Sequence, residues 1–220
     1  MTAATSATQL CINMVEQQIR PWDVLDDRIL GLYYDLPRAG FVPADLRELA
    51  YSDTQLPIGE GQTMLEPKLE ARLLQELAPA ADESILHIGT GTGYFAALLG
   101  RLAGRVTSVE IRPALAAQAA ANLAESVVAN VKVVTGDGFG ELAATGPFAG
   151  VVLTGSTPVL PVELLDRYAP GGRMVALVGA APVATLQRVQ RVGSQLNVQG
   201  CVESWAQPLD NAPHRSEFRF

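Results

Sequence analysis

From residue 84 onward, short apolar runs alternate with stretches of helical period, and this alternation constrains the fold more than any other feature of the chain. Ile85–Ile88 is followed by a helical segment over 94–102, and Val106–Val109 by another over 113–123. Val131–Val134 comes next, then Val151–Leu153 with a helical segment over 161–168, then Arg173–Val178. Strands separated by helices form right-handed βαβ units, which places them in a mostly parallel sheet of the α/β class. The tail breaks the rule. Leu186–Val192, Leu196–Trp205 and Phe218–Phe220 follow one another without helical spacing and read as antiparallel additions. The stretch before residue 84 is helical. Leu10, Met14 and Ile19 mark a helix over 8–19, and Leu25, Ile29, Leu30 and Leu32 mark one over 24–35. Pro37 and Pro43 then punctuate the chain, the Gly-containing loop Leu56–Gln62 follows, and Pro67 opens a helix with the stripe Leu69, Leu73, Leu74 and Leu77. A chain of 220 residues is read as one domain.

The first strand of the alternating region runs into Gly89-Thr90-Gly91-Thr92-Gly93-Tyr94 and then a helix. Open α/β sheets bind ligands there, beyond the carboxyl ends of their strands. A dinucleotide fingerprint would need a glycine where Tyr94 stands. GxGxG is instead a pattern of S-adenosylmethionine sites, where no pyrophosphate has to sit on the helix, although alone it also marks an ordinary tight turn. Two strand ends strengthen the cofactor reading. Val106–Val109 ends in Glu110, a carboxylate able to accept both hydroxyl protons of a ribose, with Ile111 beside it. The next strand runs into Gly136-Asp137-Gly138, where a short carboxylate can accept from an adenine amine and the glycines leave room for the ring. Each feature has a plain alternative, a charged strand end or an Asp-Gly turn. In order on three successive strands, they favour an adenosyl cofactor.

Charge and cysteine usage restrict the other classes. Lys+Arg 16 against Asp+Glu 23 gives −7, and the pI near 4.8 disfavours a nucleic-acid partner, which calls for a basic face. Cys11 and Cys201 lie far apart and are read as free thiols of a reducing cytosol. With only His87 and His214 besides, there is no basis for a metal site. The N-terminus has no Lys or Arg before Arg20 and no apolar core of a signal peptide. The most apolar stretch, Met174 to Leu186, contains Gly179 and Pro182 and is too short for a membrane helix. A cytoplasmic protein without membrane partners is expected. Trp22 and Trp205 are read as packing anchors, and Arg188, Arg191, Arg215 and Arg219 as a solvated face.

With these residues in view, the chain resembles the protein-L-isoaspartate O-methyltransferases, a proteobacterial branch above all. The resemblance rests on Met14-Val15-Glu16-Gln17-Gln18-Ile19-Arg20, Arg38-Ala39-Gly40-Phe41-Val42-Pro43, Ala50-Tyr51-Ser52-Asp53, Leu56-Pro57-Ile58-Gly59, Gly61-Gln62-Thr63 and Pro67. It extends to the glycine loop, Gly171-Gly172-Arg173 and Val178-Gly179. The block from Ala50 to Thr63 is the specific part. The resemblance implies a seven-stranded, Rossmann-like methyltransferase sheet with an antiparallel C-terminal hairpin. It divides the chain into a helical extension with the substrate loop (1–80) and a cofactor-binding core (81–220). It implies S-adenosyl-L-methionine as donor, S-adenosyl-L-homocysteine as product, no metal, and isoaspartyl residues of damaged proteins as acceptors. The site residues it implies are Thr63, Leu65 and Asp53 for catalysis or positioning. Gln62, Thr63, Gly89, Thr90, Gly91, Gly93, Glu110, Ile111, Asp137 and Gly138 are those for the cofactor.

Three positions depart from the family pattern. The serine of GQTIS-x-P is Leu65. The acidic residue before the glycine loop, which in the family helps hold the methionine amine through water, is His87, read here as a hydrogen-bonded core or rim histidine. The strand that commonly carries an aspartate into its loop reads Phe148-Ala149-Gly150-Val151.

Overall fold

The structure, a computed structural model, describes residues 6–140, 146–193 and 195–214. Helix α1 (Ala7–Met14) starts at Ser6, whose hydroxyl accepts from the Gln9 amide at 3.2 Å. It runs on as a π turn, Val15–Ile19, and a 3₁₀ turn, Arg20–Trp22, and stops at left-handed Asp23. Helix α2 (Asp27–Asp35) starts later than its apolar spacing suggests, because Asp26 takes the N-cap and accepts from the Arg28 amide at 2.9 Å. Leu25 therefore falls outside the helix and is 68% exposed.

The stretch read as a loop is a β-hairpin, β1 (Leu56–Gly59) and β2 (Gln62–Met64). Its turn residues Glu60 and Gly61 both have positive φ, 51° and 69°, the arrangement whose twist suits a two-residue hairpin. Helix α3 (Pro67–Leu77) has its proline in the first turn, where no amide partner is needed, and ends at left-handed Ala78.

The remaining elements are β3 (Ser84–Ile88), α4 (Tyr94–Leu102), β4 (Arg105–Glu110), α5 (Pro113–Glu125), β5 (Val131–Thr135), β6 (Phe148–Thr157), β7 (Tyr168–Ala180), β8 (Val183–Val192) and β9 (Gln195–Ser204). They form a seven-stranded sheet in the order β5-β4-β3-β6-β7-β8-β9. The first five strands of that order run parallel, and β8 and β9 are added antiparallel as the tail pattern suggested. Phe218–Phe220, Arg215 and Arg219 lie outside the described residues. The segment expected as a helix over 161–168 is a short 3₁₀ stretch, Val162–Arg167, and β7 begins at once at Tyr168. Pro161 before it and Gly171-Gly172 after it leave little chain for more turns. Leu164 and Leu165 nevertheless both reach the core.

The continuous apolar strands cover two faces. Ile85, Val106, Val152 and Val175 pack with Leu69, Leu73, Leu77, Leu98 and Leu123 of the helices, whereas Leu86, Ile88, Val109, Val151 and Met174 pack with Leu164 and Leu165. Arg173 on β7 fastens α3 to the sheet. Its guanidinium donates to the carbonyls of Leu77, Ala78 and Ala149 and, as a fork, to both carboxylate oxygens of Glu83 at 2.9 and 2.7 Å. Strand order reverses at β3, between β4 and β6, and the crevice outside that switch point holds the site.

Candidate active site

A cleft opens over the carboxyl ends of β3, β4, β5 and β6, where open α/β sheets bind small molecules. Its floor is the glycine loop. Gly89 and Gly91 line it with φ of 96° and 55°. A Cβ on Gly89 would stand 2.9 Å from Thr154 Oγ1, and one on Gly91 would stand 3.2 Å from Ile58 of the hairpin. Glycine is needed at both for conformation and for close approach. Gly93, named as a cofactor residue, does not line the cleft. It starts α4, and its missing side chain lets Ala119 of α5 pack 3.2 Å from the Cβ position. Thr90 is likewise buried behind the loop, its hydroxyl 2.6 Å from Ser108 Oγ.

Glu110 ends β4 inside the cleft and is only 5% exposed. Its two oxygens accept from the amides of Gly91 at 2.8 Å and Arg112 at 3.1 Å. Each oxygen keeps a further lone pair, so the pinned carboxylate presents two acceptors to a pair of vicinal hydroxyls. Ile111 and Leu115 give this wall its apolar part. At the far end, Asp137 accepts from the Phe139 amide at 2.8 Å and from the Asn211 side chain at 3.0 Å, while Phe139 supplies an aromatic surface. Gly138 lies against Ile88 with no room for a side chain.

The hairpin forms the opposite wall through Ile58, Gln62 and Thr63, followed by Leu65. Thr63 Oγ1 donates to Gln55 Oε1 at 2.9 Å, which fixes the hydroxyl beside the cleft. Leu65 is 5% exposed and faces both the cleft and a second, smaller cavity behind it. From behind, Arg38 donates to the Leu65 carbonyl and pairs with Glu70, in a fully buried contact. Burial pushes the Glu70 carboxyl up to about 7 against the pull of Arg38. Asp53, named for catalysis, lines neither cavity. It is an exposed partner of Lys68 on α3 at 2.8 Å, so it braces the segment before the hairpin.

Several lining residues carried no flag in the sequence. At its switch-point end, β6 bulges, with Val152 opposite Val175 and Ser156 opposite Leu177, so Leu153, Thr154 and Gly155 face only Ala176. Such bulges re-aim side chains beside active sites. Here the bulge turns Thr154 and Gly155 into the cleft and gives the tail a docking edge. Ser156 exchanges backbone hydrogen bonds with Gln207 and Leu209, both at 2.9 Å. The tail then reaches each wall. Gln207 donates to the Gly61 carbonyl at 3.1 Å, and Asp210 pairs with Arg112 at 2.6 Å. Arg112 and Thr154 were findable as strand-end neighbours, whereas the tail had no local signal.

His87 is fully buried beneath the glycine loop and does not line the cleft; burial pushes its imidazole down to about 3. No group of three or more His, Cys, Asp and Glu side chains suited to a metal ion occurs among the described residues. None of the described helices is long and apolar enough to cross a membrane. Cys11 and Cys201 are free thiols.

Comparison with known proteins places this geometry. The sequence profile of the protein-L-isoaspartate(D-aspartate) O-methyltransferases matches residues 11–206. The protein-L-isoaspartate O-methyltransferase of Methanoculleus marisnigri is 43% identical over 166 residues, 76% of each chain. Protein-L-isoaspartate O-methyltransferase 1 of Rhodopseudomonas palustris is 41% identical over 189 residues, 86% of this chain and 76% of its own. Among solved structures, a protein-L-isoaspartate O-methyltransferase superimposes with a TM-score of 0.78 at 21% identity, over 93% of this chain and 66% of that one. A Plasmodium falciparum protein described as a putative protein-L-isoaspartate O-methyltransferase, in complex with S-adenosyl-L-homocysteine, superimposes with a TM-score of 0.75 at 18% identity, over 93% and 98% of the two chains. The chain belongs to the protein-L-isoaspartate(D-aspartate) O-methyltransferase family and is a methyltransferase whose methyl donor is S-adenosyl-L-methionine.

Proposed function

We propose that the chain esterifies the free α-carboxylate of L-isoaspartyl residues, whose side-chain carboxyl has been taken into the main chain, in damaged proteins, the first step of their repair. The observation that carries this reading is the family-specific hairpin, folded so that Gln62, Thr63 and Leu65 close over the same cleft that Gly89, Glu110 and Asp137 line. The donor fits these residues. Glu110 offers two pre-set acceptors to the ribose, Asp137 and Phe139 bound the adenine end, and the glycine floor leaves no space for a Cβ. When bound, the cofactor supplies an electrophilic methyl group on its sulfonium.

The chain's own part is positioning and exclusion of water. A carboxylate with an unperturbed pKa of about 4 is already ionised at neutral pH, so the acceptor needs no general base. Orientation and desolvation together are worth up to ~7–11 kcal/mol in well-aligned systems. Thr63 brings a fixed hydroxyl and Leu65 a dry wall. A serine hydroxyl in place of Leu65 would add one hydrogen bond, ~1–2 kcal/mol, which is a tenfold effect rather than a condition for activity. Cytoplasmic residence belongs to the same reading and is supported by the free thiols.

The test is transfer of labelled methyl groups to an isoaspartyl peptide and to its normal aspartyl counterpart. Base-labile label on the first alone is the expected result. No transfer to either at saturating cofactor would overturn the assignment of acceptor.

A further inference from the structure

Beneath the glycine loop, polar side chains from β3, β4 and β6 form one unbroken chain. Thr90 Oγ1 lies 2.6 Å from Ser108 Oγ, Ser108 Oγ 2.9 Å from His87 Nδ1, His87 Nε2 2.9 Å from Thr154 Oγ1, and Thr154 Oγ1 2.6 Å from the Gly89 carbonyl oxygen. The protons on this chain can be counted from its carbonyl end. A carbonyl only accepts, and two oxygens 2.6 Å apart need a proton between them, so the single Thr154 hydroxyl proton is committed to Gly89. Thr154 Oγ1 can then only accept from His87, which places the imidazole proton on Nε2. Nδ1, left with a lone pair, accepts from the Ser108 hydroxyl, and Ser108 accepts in turn from Thr90.

We infer that His87, as the neutral Nε2–H tautomer, is the positioning residue of the cofactor loop, ordering a one-way hydrogen-bond chain from Thr90 to Gly89 that sets the floor of the donor site. Both ends of the chain are loop residues, and its middle is anchored in the two strands that flank the switch point. The imidazole therefore ties the loop to β4 on one side and to the β6 bulge on the other. Phe95 packs on the ring at 5.1 Å between centroids, leaving no direct path to solvent for a second proton. A protonated ring would need acceptors at both nitrogens, and supplying the one at Nδ1 would turn Ser108 and Thr90 round together. Burial, which holds the imidazole far below neutrality, is in accord with this. The inference rests on the methyltransferase reading only for what the loop binds; the tautomer stands apart from it.

The experiment has two arms. In the 220-residue chain carrying His214→Gln, His87 is the single histidine, and its ring nitrogens are read by ¹⁵N NMR. A pyridine-type Nδ1 and a pyrrole-type Nε2, unchanged from pH 5.5 to 8.5, are expected. The opposite tautomer, or an imidazolium in that range, overturns the inference. In the second arm, binding of S-adenosyl-L-homocysteine is measured by calorimetry and methyl transfer by steady-state kinetics. Thr154→Ser, which keeps both hydrogen bonds, is expected to retain most of the donor affinity that Thr154→Val loses. Thr154→Val and His87→Leu are each expected to raise Kd and the KM for donor about tenfold, with kcat at saturation little changed. The double variant is expected to be no worse than the poorer single one, because both break the same chain. Equal losses in Thr154→Ser and Thr154→Val, or full additivity, would overturn it. Failure of the parent to bind the homocysteine product would instead count against the cofactor reading, with the NMR result unaffected.

Discussion

Replacing Glu110 by Gln tests the donor site at its most determined point. The carboxylate is pinned by the Gly91 and Arg112 amides, so its orientation is set before any ligand arrives. On the proposed reading it accepts two hydroxyl protons of the ribose, and each such bond to a carboxylate is worth about 1.5–3 kcal/mol net. An amide of the same shape retains one acceptor oxygen, now neutral and worth about 1 kcal/mol, and turns the other position into a donor. Whichever way the amide lies, its NH₂ group also meets one of the two backbone amides. That clash burdens free and bound protein alike and so affects stability rather than affinity. The difference left for binding is about 2–5 kcal/mol, roughly 30- to 4,000-fold in Kd. Calorimetry with S-adenosyl-L-homocysteine measures it directly. A 2′-deoxy analogue, which loses affinity for the wild type, should lose much less for Glu110→Gln, because one missing hydroxyl then meets an already missing acceptor. A Kd within threefold of wild type, or an undiminished penalty for the deoxy analogue, would refute the assignment of Glu110 to the ribose.

Three further outcomes are expected. Arg173→Lys keeps the charge but not the fork, leaves carbonyls at the end of α3 without donors, and should cost about 2–4 kcal/mol in urea unfolding. Arg173 holds the Glu83 carboxyl below its ordinary range, so the part of the wild type's advantage that comes from this pair is full near neutrality and fades as pH falls through that lowered value; the two stability curves should draw closer in acid without meeting, because the carbonyl hydrogen bonds do not titrate. Gly89→Ala forces a side chain into φ of 96° and towards Thr154, with about 1–3 kcal/mol of strain and loss of donor binding by calorimetry. Leu65→Ser should raise kcat/KM on an isoaspartyl peptide about tenfold while lowering stability by ~2–4 kcal/mol, since a buried apolar side chain is lost. No gain in that ratio would show that the missing hydroxyl is not what limits the site.

The parts of this site that could be read from the sequence are those whose geometry is local. Gly89 and Gly91, Glu110 and Asp137 each stand where a strand of β period ends, and a parallel sheet aligns such ends on one edge without further information. The fold class followed from the same alternation. Asp53 and Gly93 stood in the right motifs and yet do not line the cleft. Asp53 braces a loop through Lys68, and Gly93 admits α5 beside α4, because a motif marks a stretch that must fold one way and does not say which of its side chains meets the ligand. His87, read as a hydrogen-bonded core or rim histidine, is a buried, hydrogen-bonded ring beneath the cleft, because residues alternate along β3 and position 87 faces Phe95.

The contacts made by the segment after β9 could not have been read from the sequence, and the reason is a matter of separation. Gln207 reaches Gly61 across 146 residues and Trp205 accepts from Gln55 across 150, while Asp210 and Asn211 reach Arg112 and Asp137 on two other walls. No periodicity or spacing rule connects such positions. They meet because β6 carries extra residues opposite Ala176, an irregularity that in sequence is only Leu-Thr-Gly at the end of an apolar run. Once that bulge exists, Ser156 offers the tail a docking edge, and the hydrogen bonds it makes there each contribute only about 1 kcal/mol net. Their effect on the site is larger than their sum suggests, because each fixes a different wall of one cleft relative to the same short segment. The cleft is thus assembled from strand ends that the alternation dictates and from a clasp that exists only after folding.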